Sequence, residues 1–395
     1  MDIEKLKNAP VAVTGCGEYD DAGIEAILRA QFAAIGAGEE FFRGRRVLLK
    51  PNLVSAKDPS FAVTTHPAVV AAVFRIVRDM GAADVILAES PGGSYAAPFL
   101  NKIYAATGMK DLSEREGLPL NRDLSSRPVP FLGKKLNSIE VIAPVVECDV
   151  IVNICKLKTH SLTGLSCAVK NLFGVIPGIV KFEMHAAYPE LSDFCEMLCD
   201  LDMTLYRDHD ILSVCDAIVA MEGNGPTHGT PVPMGRLLSS LSTFALDVVA
   251  EREAGIGRSA KYLDIAAERG IVKRDDGDIA VVRVDVPEEP AKLELPDSKK
   301  GNSFSMKILA SLPNLFGGRF SRFFEPRPRI NKKKCVGCGN CVSVCPQKTI
   351  ITVKKKGKRL AKIKRGDCIR CFCCQELCPH GAVDTVKNAI IRLAH

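Results

Sequence analysis

The chain has 395 residues, 47% of them apolar, with a net charge of +7, which is enough for two or three domains and a sizeable core. No run of about 18 apolar residues occurs, which excludes a spanning helix, and Met1-Asp-Ile-Glu-Lys5 lacks the charged-then-apolar pattern of a secretion signal. Nine of the sixteen cysteines fall between Cys335 and Cys378. The other seven are scattered, a usage that points to thiols in a reducing, cytoplasmic setting.

Pro10–Cys16 reads as a short buried strand, and Ala22–Ile35 follows with helical spacing of Ile24, Ile27, Leu28 and Phe32. Arg46–Lys50 is a second strand that runs into the turn Pro51-Asn52-Leu53. His66-Pro67 opens a helix, with proline in its first turn, that carries Val69, Val70, Val73, Ile76 and Val77 inward. Asp84–Ala88 is a third strand, closed by the loop Glu89-Ser-Pro-Gly-Gly-Ser94. Residues 108–145 show short extended pieces near Pro119, Val129 and Ile139–Ile142, a small antiparallel excursion. Asp149–Ile154 is a buried strand. Pro189–Leu205 reads as a helix, Ile211–Ala220 as a strand, Leu237–Ala254 and Tyr262–Arg269 as helices, and Ile279–Val284 as a closing strand. Strand–helix–strand units at this spacing predict an α/β body over residues 1–286: a mostly parallel, Rossmann-like sheet flanked by helices.

Ligands of such sheets sit beyond the carboxyl ends of the strands. The polar residues that fall there are Lys50, Asn52 and Glu89, then Lys156, Lys158, His160, Lys170 and Asn171. Several cations beside amides suit an anionic small molecule, a carboxylate or a phosphate. Lys158, His160, Lys170 and Glu222 are the expected catalytic groups, because a histidine beside a lysine can move a proton near neutral pH. Lys50, Asn52, Glu89, Lys156, Asn171 and Asp216 are expected to bind substrate. Asp216, inside an apolar strand, needs a partner, and one of these lysines is the simplest. Cys155 and Cys167 read as small buried hydrophobes near this crevice. Cys195 and Cys199 share a helix face without further ligands. Gly223-x-Gly225 is too short for a dinucleotide fingerprint, Gly15-Cys-Gly17 does not complete a phosphate loop, and no Walker lysine is present. No motif specifies a flavin or metal in the body, so a further body-bound cofactor stays an open question here.

Pro287–Lys300 is acidic, then basic, and proline-rich, the start of a linker and arm spanning 287–326. Phe304, Ile308, Leu309, Leu312 and Phe316 lie among basic residues there. They fit either a docking arm or a membrane-surface helix interrupted by Pro313 and Gly317-Gly318.

Residues 327–395 complete the chain with C-x2-C-x2-C-x3-C-P, twice: Cys335, Cys338, Cys341 and Cys345-Pro346, then Cys368, Cys371, Cys374 and Cys378-Pro379. Three close thiolates hold three corners of a cubane, and the fourth, before proline, ligates the other cluster. Two [4Fe-4S] clusters are therefore expected, one on Cys335, Cys338, Cys341 and Cys378, the other on Cys368, Cys371, Cys374 and Cys345. Zinc sites use C-x2-C pairs but do not need this duplicated run. Cys373 is an extra thiol beside a ligand. The stretch resembles the bacterial two-cluster ferredoxins, which implies a C-terminal α+β ferredoxin-like domain. It carries seventeen Lys and Arg against three Asp and Glu, a balance of +14 against −7 for the rest of the chain. That asymmetry suits docking of an acidic electron carrier, of the ferredoxin or flavodoxin type, or of the acidic body itself. Nucleic acid is not expected, because aromatics are not interleaved with the charge.

Lys50-Pro-Asn-Leu-Val, Glu89-Ser-Pro-Gly-Gly, Asn153-Ile-Cys-Lys-Leu-Lys-Thr-His160, Ala168-Val-Lys-Asn-Leu-Phe-Gly174 and Met221-Glu-Gly-Asn-Gly-Pro226 resemble the family called domain of unknown function 362. The resemblance implies one α/β domain with a shared site around these motifs and no particular reaction. Together the two parts lead to a ferredoxin-linked oxidoreductase that reduces an anionic small molecule. A carrier or assembly partner without turnover, or an isomerase- or lyase-type body with regulatory clusters, are the alternatives.

Overall fold

A computed structural model describes residues 2–299 and 326–386, apart from 356 and 365. The expected arm at 303–326 lies outside the described residues but for Pro326. The body contains strands β1 (Val11–Gly15), β2 (Arg46–Pro51), β3 (Asp84–Leu87), β4 (Ser126–Pro130), β5 (Ser138–Ile142), β6 (Val150–His160), β7 (Gly164–Ser166), β8 (Asp210–Glu222), β9 (Thr230–Ser240) and β10 (Val281–Val284). The central sheet runs β10-β1-β9-β8-β6-β2-β3, with β7 added onto β6. The β3-β2-β6-β8 stretch is parallel, as is β1 with β10, while β9 is antiparallel to both its neighbours.

Alternate residues of the strands feed two cores. Val150, Val152 and Ile154 of β6 meet Ile24, Leu28, Phe32, Val69, Val73 and Ile76 from the helices Asp21–Ala34 and Pro67–Asp79. Ile151, Cys155 and Leu157 face Leu198, Leu201, Phe244, Val249 and Tyr262 from helices Leu191–Asp208, Thr243–Glu253 and Lys261–Glu268. With both faces covered, all eleven positions of β6 are buried, as a central parallel strand requires. The helix after β2 starts where expected: Pro67 occupies its first turn and His66 Nδ1 accepts the Ala68 N–H at 3.2 Å.

Two readings change. Leu237–Ser240 belongs to β9, and the helix begins only at Thr243, capped by Ser242; a short apolar run does not distinguish strand from helix by its period. The polar run Lys156–His160 lies within β6 and not in a loop after it. A register shift between Lys156 and Lys158 re-aims the side chains, and β7 pairs with Lys158–His160. Gly164, at φ +85°, makes the tight return that permits this pairing. The excursion β4–β5 is antiparallel, as read, but helices Ala97–Ala106, Met109–Glu116 and Val180–Ala187 were not anticipated. The segment after Val286 follows the body closely: Ala291 and Leu293 N–H donate to Glu253 O and Ala254 O at 2.9 and 3.0 Å.

The C-terminal part pairs β11 (Arg327–Ile330) with β14 (Val383–Val386) and β12 (Ile350–Lys355) with β13 (Lys358–Ile363), both antiparallel, around short helices Asn340–Ser343 and Cys373–Glu376. It is the expected small α+β unit.

Lys156 and Asp216 are register neighbours on β6 and β8. The lysine Nζ lies 2.9 Å from Oδ2 and donates to Tyr19 Oη at 2.8 Å. The Tyr19 hydroxyl donates to Oδ1 at 2.9 Å, and the His66 N–H donates to Oδ2 at 2.9 Å. Both charged side chains are essentially inaccessible. Asp216→Ala strands a buried ammonium and should lower body stability by about 3–5 kcal/mol, whereas the double variant Lys156→Met/Asp216→Leu should recover most of it. Urea unfolding of the two variants measures the difference.

Candidate functional site

A cavity of about 80 Å³ opens at the ends of β2, β3 and β6. The body lines it with Asn52, Glu89, Lys158, His160, Lys170, Asn171, Lys181 and His185. Cys373, Glu376 and Leu377 of the cysteine-rich unit line it as well. The two parts meet through an apolar contact of Phe182 with Val344 and Cys373. Hydrogen bonds join them too: Thr227 Oγ1 donates to Glu376 O at 2.7 Å, and His228 Nε2 lies 2.8 Å from Cys378 O.

Lys158 is fully buried and its ammonium donates to Asn52 Oδ1 and Val63 O, both at 2.8 Å. The amides continue inward. Asn52 Nδ2 donates to Asn171 Oδ1, and Asn171 Nδ2 to Asn153 Oδ1, each at 2.8 Å. Asn153 Nδ2 ends the chain on Ala168 O and Ser213 Oγ. Burial, reinforced by Lys170 and Lys156, pulls the Lys158 ammonium down to about 7. Lys181 donates to Ser90 O, and burial brings it to about 7 as well, against the pull of Glu89. Behind it Lys50 and Glu89 form a buried pair with Nζ to Oε2 at 2.5 Å. Gly174 packs against them: a Cβ there would stand 2.5 Å from Lys50 Nζ, so the pair would have to shift. Lys170 is half-buried, its Nζ 4.9 Å from the centre of the Phe173 ring.

His160 Nδ1 accepts the N–H groups of Leu162 and Thr163 at 3.0 and 3.3 Å. The ring proton therefore sits on Nε2 in the neutral form, 3.2 Å from Glu376 Oε1. Burial, with Lys170 and Lys158 nearby, lowers the imidazole below its ordinary value despite Glu376. Burial opposes ionisation of Glu376, but His160, Lys170 and His185 outweigh it and hold the carboxyl down at about 2. His185, stacked on Phe194 with centroids 4.3 Å apart, is pushed by burial to about 3.

Of the residues singled out in the sequence, Asn52, Glu89, Lys158, His160, Lys170 and Asn171 share this cavity, and Lys50 stands directly behind Glu89. Lys156 and Asp216 are engaged with each other, Tyr19 and His66, away from it. Glu222 accepts the Glu294 N–H at 2.8 Å and fastens the 287–299 segment. Sequence reasoning missed Lys181, His185 and Glu376. The first two are four apart on one helix, a spacing that could have flagged them. Glu376 is one of only three acids in a strongly basic unit.

The cysteines of the second part are all free thiols. Cys341 feels Cys378, Cys335 and Cys338, while Cys374 feels Cys371, Cys368, Cys341 and Cys345. Backbone N–H groups already point at sulfur: Ala382 to Cys378, Thr349 to Cys345 and Ala361 to Cys335, at 3.2, 3.3 and 3.5 Å. Cys373 reaches the cavity wall, and its thiol also contacts that of Cys371.

The family model described as domain of unknown function (DUF362) matches residues 47–252, more than half of the chain. The chain belongs to the DUF362 family. A 4Fe-4S dicluster domain matches residues 334–382, so this DUF362 protein carries an iron–sulfur, ferredoxin-type electron-transfer domain at its C-terminal end. A relative, "Thylakoid-associated protein sll1697" of Synechocystis sp. (strain ATCC 27184 / PCC 6803 / Kazusa), is 34% identical over 241 residues, covering 58% of this chain and 70% of that one. Among solved structures, the lactate racemase apoprotein from Thermoanaerobacterium thermosaccharolyticum aligns with a TM-score of 0.40 and 13% identity. The match covers 65% of this chain and 59% of that protein's length. Among the described residues no helix is long and apolar enough to cross a membrane.

Lys158 is ordinary in the unfolded chain, near 10.5, and about 7 when folded. Below pH 7 both states hold its proton. Between about 7 and 10 only the unfolded state does, so this group makes stability rise with pH by up to about 1.4 kcal/mol per unit. Lys158→Met should remove that share of the slope and leave the profile below pH 7 parallel to the wild type, as read from urea unfolding between pH 6 and 10.

Proposed function

We propose that this protein is an iron–sulfur oxidoreductase acting on a small anionic molecule in the Lys158–His160–Lys170 cavity. The shared wall carries the reading. Helix Cys373–Glu376 bears Cys374, one of the expected cluster ligands, and also presents Cys373 and Glu376 to the cavity. A redox group held on that helix adjoins whatever the cavity binds.

Two [4Fe-4S] clusters fit the cysteines, one set being Cys335, Cys338, Cys341 and Cys378 and the other Cys368, Cys371, Cys374 and Cys345. The free thiols and the N–H groups aimed at sulfur support this. When bound, such clusters supply single electrons at low potential.

The residues of the body do the rest. Lys170, Lys158 and Lys181 attract a carboxylate or phosphate, and Asn52 holds the Lys158 ammonium in place. The volume suits a substrate of few heavy atoms. His160 Nε2–H, on the side of Glu376, can donate a hydrogen bond to a substrate whose negative charge increases, with Glu376 orienting the ring. Lys50, Glu89 and Asn171 support this first layer. Lys156, Asp216 and Glu222 have structural roles in this reading. The electron donor is an acidic protein of the ferredoxin or flavodoxin type. It would meet the basic face formed by Arg327, Lys332, Lys354, Lys355, Lys362 and Lys364. Thiolate ligands and unpaired cysteines favour a reducing, cytoplasmic compartment.

The test is anaerobic. The reduced protein is mixed with a panel of small carboxylates and phosphates, and its reoxidation is followed in the visible spectrum. One compound should reoxidise it rapidly, with a rate that declines above about pH 7 as Lys158 loses its charge. Lys158→Met and Lys170→Met should each slow that reaction by about 10²–10³-fold with the iron content unchanged. If no compound reoxidises the wild type faster than it does the Lys158→Met/Lys170→Met double variant, the protein is a carrier and the reading fails.

A further inference from the structure

Cys155, Cys167 and Cys215 are far apart in sequence and come from β6, the turn before helix Ala168–Leu172, and β8. Cys155 and Cys215 are register neighbours on the two parallel strands. Cys167 sits over them, its Sγ 3.5 Å from Cys155 Sγ and 3.4 Å from Cys215 Sγ. The three sulfurs all lie within 4.8 Å of one another, in the apolar core and at most 1% exposed. None is bonded to another.

We propose that these three thiols form a metal site of their own, separate from the ferredoxin-type unit, for a single thiophilic closed-shell ion. A metal–sulfur length near 2.3 Å spaces three sulfurs about 4 Å apart in a planar set; two of the separations, 3.5 and 3.4 Å, lie slightly under that value and all three are within 4.8 Å. The supports are rigid. Two ligands stand on central strands, and the third follows a turn whose Ala168 and Val169 N–H groups donate to Asp247 at 2.7 and 3.1 Å. Asp247 is fixed in turn by the Tyr262 hydroxyl at 2.8 Å. An all-sulfur donor set selects soft ions. The packing around it is mostly aliphatic, with Leu157, Leu165, Ala217 and Leu238 in the same core; among the described residues no further cysteine or histidine joins the set, and the carboxylate beside Cys167, Asp247, is already engaged by Ala168, Val169 and Tyr262. Zn(II) in a structural site takes four ligands, so the three-coordinate geometry selects Cu(I). Loading releases one thiol proton to solvent for each thiolate formed. The Lys50 and Lys156 ammonium groups act electrostatically on Cys155 and Cys215 and offset part of the resulting charge, which Asp216 and Asp247 oppose.

The experiment uses the full chain with its iron–sulfur centres in place, under anaerobic conditions. Cu(I) is supplied from a competing chelator, and copper, iron and sulfide are counted per chain. The wild type should withhold one copper without losing iron, and X-ray absorption at the copper edge should show a first shell of three sulfurs. Cys155→Ala/Cys167→Ala/Cys215→Ala should withhold none while keeping its iron. Cys167→Ser, which retains a hydroxyl beside Asp247, checks the same loss if the triple variant does not fold. Copper bound only at the expense of iron, or retained equally by these variants, would overturn the site. Preference for Zn(II) over Cu(I) in the same competition would overturn the assignment of the ion.

Discussion

The structure depends on a surplus of positive charge drawn into one place. Lys50, Lys158 and Lys181 are buried around the cavity, with Lys170 at its edge, while burial favours the neutral forms of His160 and His185 beside them. Removing ammonium groups from water is costly unless a counter-charge is near. Among the described residues, the body lines the cavity with one carboxylate, Glu89, and Lys50 already holds it. The second carboxylate, Glu376, comes from the cysteine-rich part. Docking of that part therefore completes the electrostatics of the body's site. Lys158 and Lys181 still end near 7, poised between charged and neutral. Such a cavity has standing attraction for an anion that could supply the missing negative charge.

Geometry in this region is set by amides more than by charges. The line Lys158–Asn52–Asn171–Asn153 passes from the lysine through the turn after β2 and helix Ala168–Leu172 into β6. Each amide uses its oxygen to accept and its nitrogen to donate, so a single flip would break two bonds. This fixes where the Lys158 ammonium stands without lending it a full negative partner, which is why burial governs its charge. A carboxylate in place of Asn52 would orient the lysine equally well and would also raise it back toward an ordinary value.

Much of this was legible in the residues. Buried strands announce themselves by β-branched apolar runs, and the helix at Pro67 by its proline and cap. The duplicated cysteine spacing needs no fold to be read. The cavity was half legible. Lys158, His160, Lys170, Asn52, Glu89 and Asn171 converge because the parallel order β3-β2-β6 brings their strand ends together, an inference that topology rules allow. Lys156 misled, because a residue two positions from Lys158 should share its face, and the register shift between them breaks that rule. Glu222 misled in another way: its strand end is adjacent, but the chain after Val286 returns and takes its carboxylate. Lys181, His185 and Glu376 were hidden because their meeting depends on how a short helix and a second unit pack, which no local period encodes.

The overall charges suggest that the two parts attract as a basic module on an acidic body. The contact that forms at the cavity has the opposite polarity, with the acid on the module and the bases on the body. The remainder of the junction is apolar or runs through backbone carbonyls. Net charge acts over distances comparable with the screening length and steers approach, whereas the bound arrangement is decided by the few groups that lose their water. Because the junction uses Glu376 and so little of the module's positive charge, the lysines of β12 and β13 are left facing outward around their own concavity. One unit thus presents two faces of different character: a narrow one, with a single carboxylate, turned to the cavity, and a broad cationic one turned to solvent. That division is what the proposed conduction from an acidic protein to a buried anion would require.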